Sequence, residues 1–170
     1  MKHCIYSLLS ILVSCNVAVF ASTDLCKGKK NRLSCLHENY QQLLTSDEKV
    51  FYEILKLAGK KASICTNKDD SLAYLETAKY INGGASVEEF FSKTVEIWSL
   101  EKPKCVLGLI PKLSSKSSQI IIGYLQSPLF IEKRQLDKAF SKYLRDKDYG
   151  SIAATILNQI KTDVVPAVHR

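Results

Sequence analysis

Residues 71–100, SLAYLETAKYINGGASVEEFFSKTVEIWSL, decide the fold class. Leu72, Leu75, Ala78 and Ile81 recur at steps of three and four, which puts them on one side of a helix with 3.6 residues per turn. Gly83-Gly84 can supply the left-handed residue that ends such a helix at about Asn82. Ser86 and Glu89 then have the spacing of a capping box, in which each side chain satisfies an orphan backbone N–H at a helix start. Beyond them Val87, Phe90, Phe91, Thr94, Val95 and Trp98 make a second inward face that runs to about Leu100, and Pro103 closes it. The stretch predicts two helices joined by a glycine turn.

The same period extends outward. Toward the N-terminus, residues 33–44 predict a helix, and Thr45 and Glu48 form another capping box. Val50, Phe51, Ile54, Leu55 and Ala58 share the face of the next helix, with Gly59 as its stop and a polar loop at 67–70. Toward the C-terminus, Pro111, the serines of 114–118, Gly123 and Pro128 predict shorter pieces, and residues 103–118 read as an internal loop or hinge. Ile120-Ile121-Ile122 could be a strand, but no alternating partner run exists, so a short buried helix is expected. Leu136, Ala139, Phe140, Tyr143 and Leu144 make one further helical face; Ile152, Ile156, Leu157 and Ile160 make another. A loose tail is expected after Pro166. The only internal echo, Phe91-Ser92-Lys93 against Phe140-Ser141-Lys142, diverges after three residues. The expected fold is all-α: one bundle-like helical domain over residues 22–170, with about six to seven helices.

The first 21 residues read differently. One positive charge at Lys2 precedes an apolar run from Ile5 to Phe20, and small residues lead to Ala21 before the polar Ser22-Thr23-Asp24. That is the pattern of a secretory signal cleaved after Ala21. Leu12-Val13-Ser14-Cys15 also fits lipidation at Cys15, the minority alternative, because apolar residues continue past Cys15 where a lipoprotein turns polar. An exported chain, periplasmic or secreted, is expected, with no later run long enough to span a bilayer.

Removing residues 1–21 takes away one Lys and no acidic residue, so the formal net charge falls from +7 to +6. Such a balance favours anionic partners, against the bland reading of solvated lysines. Four of the six cysteines then remain: Cys26, Cys35, Cys65 and Cys105. In an oxidising compartment an even set reads as two disulfides, and without a CxxC pair a zinc site is disfavoured.

In an up-down-up-down arrangement of the first four helices, all four cysteines converge at one end. Cys26 with Cys35 and Cys65 with Cys105 is the favoured pairing, although the same convergence permits the other connectivities. That end also gathers Lys27, Lys29, Lys30, Arg32, Lys60, Lys61, Lys102 and Lys104 into a candidate anion-binding patch. Lysines at helix C-termini offset the negative dipole end, which accounts for Lys60, Lys61, Lys102 and Lys104 without a ligand. The 27–32 group has no such explanation. No aromatic residue interleaves it, so lipid or polysaccharide is favoured over single-stranded nucleic acid.

Catalytic patterns are weak. No G-x-S-x-G, phosphate-cradling glycine loop or H-E-x-x-H occurs, and no residue pattern calls for a cofactor or a metal. His37 could pair with Cys35 as base and nucleophile, but an exported cysteine with three mates is better read as bonded. Ser46-x-x-Lys49 and Ser99-x-x-Lys102 match S-x-x-K without its partner motifs, and are better read as a cap and a solvent-exposed helix end. The pairs Asp47-Glu48, Asp69-Asp70 and Glu88-Glu89 fall at expected helix starts, where negative charge complements the dipole.

The leading expectation is therefore a non-catalytic exported protein that binds a protein or an anionic envelope component. The alternative is a small secreted hydrolase or toxin-like effector with a site assembled across helices from Glu, Ser or His37. A third reading, an apolar-ligand carrier, needs a cavity between the Phe90–Trp98 face and the Ile120 segment.

Overall fold

The computed structural model describes residues 25–81 and 85–158. The expected signal segment with Cys15, the expected turn at Gly83-Gly84, Ile160 and the expected loose tail after Pro166 lie outside the described residues. Within them the chain forms nine α-helices and no strand: α1 Arg32–Glu38, α2 Tyr40–Ser46, α3 Glu48–Ser63, α4 Lys68–Leu75, α5 Ala85–Glu101, α6 Pro103–Leu109, α7 Ser115–Gln126, α8 Lys133–Ser141 and α9 Gly150–Ile156. Two 3₁₀ segments, Glu76–Tyr80 and Ile110–Lys112, follow α4 and α6. The all-α expectation holds, with more and shorter pieces than the six to seven expected.

Each extra break has a local cause. The helix expected over 33–44 splits at Asn39, whose side-chain Nδ2 donates to the Cys35 carbonyl at 2.9 Å and competes with the helical ladder. The helix expected over 71–82 starts earlier, because Asn67 caps it by accepting from the N–H groups of Asp69 and Asp70. It then tightens to 3₁₀ at Glu76, where α7 intrudes. The Lys116 ammonium donates to the Lys79 carbonyl at 2.7 Å, and the Glu76 carboxylate accepts from Ser114 and Ser117.

Several expected signals do other work. Asp47, not Thr45, caps α3, accepting from the Val50 N–H; the Thr45 hydroxyl instead donates back to Gln41. Ser86 is the second residue of α5. Gly59 does not stop α3, which continues to Ser63. A Cβ at Gly59 would stand 2.9 Å from the Tyr74 ring, so its bareness lets α4 pack closely on α3. The left-handed residue after α3 is Cys65, at φ 62°.

Residues 103–118 are not a loop. Pro103 opens α6 and Pro111 sits in the first turn of a 3₁₀ segment, positions where a missing N–H costs nothing. Ile120-Ile121-Ile122 lies in α7, as expected for a short helix, with Ile121 fully buried. Tyr143 and Leu144 fall in the turn after α8 but still pack on the core.

One apolar cluster joins these elements. Phe51, Leu55, Tyr74, Phe91, Trp98, Leu107, Ile110, Ile121 and Phe140 are all buried within it. The fully buried Glu96 carboxylate on α5 accepts from the backbone N–H groups of Leu129 and Phe130, at 3.1 and 2.7 Å, and anchors the loop between α7 and α8. That loop presents Leu129 at 79% exposure.

Candidate functional site: two basic grooves and a disulfide

The four cysteines form two bonds, Cys26–Cys35 and Cys65–Cys105. The first is buried against α1. The second ties the segment after α3 to the start of α6, and the Trp98 indole N–H donates to the Cys65 sulfur at 3.0 Å. Disulfide bonding removes the Cys35–His37 nucleophile pair.

Six of the eight basic candidates divide between two solvent-open grooves. Lys29, Lys30, Arg32 and Lys61 line the smaller, about 370 Å³, together with Leu33, Ile54, Leu57 and Asp70. Lys102 and Lys104 line the larger, about 770 Å³, with Lys68, Lys112, Glu101, Asp148, Tyr143, Tyr149 and the Cys65–Cys105 bond. Lys27 and Lys60 border neither and are exposed. Part of this charge is already answered: Arg32 pairs with Glu53 at 3.0 Å and Lys61 with Asp70 at 2.8 Å. Lys104 stands over the Tyr149 ring at 5.6 Å. Lys27, Lys29, Lys30, Lys60 and Lys102 make no ion pair among the described residues.

Two exposed apolar residues absent from the sequence reading lie on α3 and its C-cap, and one of them, Leu57, lines the smaller groove. Leu57 and Ile64 are 54% and 55% exposed, large values for such side chains. Leu57, Lys60, Lys61 and Ile64 follow steps of three and four, so they share the outer face of α3 and its C-cap. Leu57 was legible as the one leucine left off the inward set of that helix. Lys68, Lys112, Tyr143 and Tyr149 carried no such signal, because distant segments bring them together.

The candidates for chemistry are structural. His37 meets the Thr77 hydroxyl at 2.8 Å and stacks on Tyr80 at 4.6 Å between ring centroids, but Thr77 is fully buried and its hydroxyl cannot reach a substrate. Glu76 is held below its usual range: burial raises its pKa, and the bonds from Ser114, Ser117 and Lys79 outweigh that effect. Ser99 is fully buried, not at a solvent-exposed helix end, and Ser46 donates back to Gln42. Phe91, Val95, Trp98 and Ile121 pack in the common core, and the nearby groove of Tyr124, Leu129 and Phe130 is open to solvent. Among the described residues no three His, Cys, Asp or Glu side chains gather as a metal site.

His37 gives a pH prediction. Its pKa is lowered to about 4, first by burial and then by the Lys79 charge, with Glu76 opposing. The unfolded chain takes up the proton near 6.5 and the folded chain only near the lowered value. Stability is therefore intact above about pH 6.5 and is lost as pH falls toward 4. Urea midpoints across that window should fall less steeply for His37→Gln, which does not titrate but can still bond Thr77. Superimposable slopes would remove His37 from the acid response.

A scan against protein-family models, a search of curated proteins and a search of solved structures each find no match for this chain. Among the described residues no helix is long and apolar enough to cross a membrane.

Proposed function

We propose that this chain is an exported, non-catalytic protein that binds anionic phospholipid surfaces through the outer face of α3 and the adjoining 27–32 segment. The observation that carries the reading is the exposed stripe Leu57, Lys60, Lys61 and Ile64, with Lys29 and Lys30 lining the groove beside Leu57. A lysine near an anionic lipid surface contributes about 1 kcal/mol, and burying a leucine contributes about 1.5–3 kcal/mol. Neither alone gives firm attachment. Together they favour a surface that offers both negative head groups and an apolar interior, which a soluble polysaccharide does not. Export accords with the two disulfides and with the apolar N-terminal stretch.

Lys29→Glu/Lys30→Glu/Lys60→Glu reverses charges that hold no ion pair among the described residues, and Leu57→Ser/Ile64→Ser removes the apolar contact. Each set should reduce co-sedimentation with phosphatidylglycerol vesicles at least tenfold while leaving the melting temperature nearly unchanged. A second reading, docking of a protein, rests on Leu129, held outward by the Glu96-anchored loop. Loss of vesicle binding in Leu129→Ser, with the α3 variants unaffected, would move the contact to that loop and overturn the assignment to α3.

A further inference from the structure

The two disulfides occupy opposite environments. Cys26 and Cys35 are 0% and 6% exposed, so no reagent reaches their sulfurs without local opening. Cys65 and Cys105 are only half-buried and form part of the wall of the 770 Å³ groove, beside Lys68, Lys102 and Lys104. The bond also holds Cys65 at φ 62°, a backbone region that suits glycine and is strained for a residue with a Cβ. The buried Trp98 indole N–H points at the Cys65 sulfur. Around the groove Lys68, Lys102, Lys104 and Lys112 outnumber Glu101 and Asp148. A thiolate leaving at Cys65 would therefore find a hydrogen-bond donor and an excess of positive charge already in place, two features that promote departure of sulfur.

We propose that Cys65–Cys105 is a thiol-exchange site that reacts with small anionic thiols, whereas Cys26–Cys35 is a permanent cross-link. An incoming thiolate, drawn in by the lysines, attacks the Cys105 sulfur. A new S–S bond forms there, the Cys65–Cys105 bond breaks, and its electron pair leaves on Cys65. A second thiolate attacks the external sulfur of this mixed disulfide, forms the external disulfide and releases Cys105 as thiolate. Two external thiols become one disulfide, and the protons they lost are taken up by Cys65 and Cys105. The site is independent of the lipid-binding face, and its test contains no lipid.

Trp98 is the single tryptophan of the chain and reports directly on the bond, because an adjacent disulfide quenches indole emission. The processed protein is treated with reduced glutathione, which is anionic, or with cysteamine, which is cationic, at matched thiolate concentration. Opening is followed by Trp98 emission, and alkylation with peptide mapping identifies the freed cysteines. Glutathione should open Cys65–Cys105 about tenfold faster than cysteamine at low salt, the advantage shrinking at high salt, with Cys26 and Cys35 unmodified. Lys102→Glu/Lys104→Glu should abolish or reverse the preference. Earlier release of Cys26 and Cys35, simultaneous release of all four thiols, or equal rates for the two reagents in the unmutated protein would each overturn the proposal.

Discussion

Trp98→Ala will lower the stability of this protein by about 3–5 kcal/mol, the range for removing a large aromatic side chain from a packed core. Trp98 is 1% exposed, lies near the Tyr74 ring on α4, and places its N–H on the Cys65 sulfur. Its removal leaves a hole where α4, α5 and the segment after α3 meet. In a chain of this length the loss corresponds to a melting shift of about 6–20 °C. Trp98→Phe separates the two contributions, since it keeps most of the ring and discards the N–H, for about 1 kcal/mol from the lost bond in addition to the reduced packing. A melting curve for Trp98→Ala within a degree or two of the unmutated protein would mean that these elements do not pack as described.

The second large effect concerns the cross-links. A disulfide acts mainly on the unfolded chain, whose freedom it restricts more as the closed loop lengthens. The sequence separation is 40 for Cys65–Cys105 and 9 for Cys26–Cys35. Replacing the first pair by serine should cost about 4 kcal/mol, and replacing the second about 2.5 kcal/mol. Urea unfolding of the two double variants checks the order. A larger loss from the Cys26→Ser/Cys35→Ser variant would show that burial of the short cross-link outweighs chain entropy. The more consequential bond is also the more accessible one, so reductant in the larger groove should lower stability sharply without touching Cys26–Cys35.

Much of the helical content was legible because local and tertiary preferences agree. The faces at 50–58 and 87–98 turn inward as their period requires, and Ile120-Ile121-Ile122 is helical for want of a partner strand. The favoured cysteine pairing is the one formed, although the expected meeting of helix ends left the other connectivities open. What escaped reading depends on distant groups. Nothing near Glu76 announces that Lys116 and Ser117 will take its turn's carbonyls and tighten it to 3₁₀. Gly59 reads as a stop until Tyr74 is laid against it. Pro103 and Pro111 read as breaks, yet both sit where a helical turn begins.

The candidate site was legible only in part, for the same reason. The basic residues were visible one by one, but their division between two grooves depends on which distant segments the fold brings beside them. Asp70 and Glu53 neutralise two of them from other helices. The exposure of Leu57 and Ile64, which turns a charged face into an amphipathic one, needs the packing of α1 and α4 to define what α3 leaves uncovered.

The most direct test of the lipid-binding claim is a salt titration of the unmutated protein against two vesicle populations, one of neutral phosphatidylcholine and one containing about 30% phosphatidylglycerol. At low ionic strength the account predicts binding to the anionic vesicles alone. That binding should weaken steadily as the Debye length shrinks from about 30 Å at 0.01 M to about 8 Å at 0.15 M salt. Equal binding to both populations, or none to the anionic vesicles at the lowest salt, would contradict it.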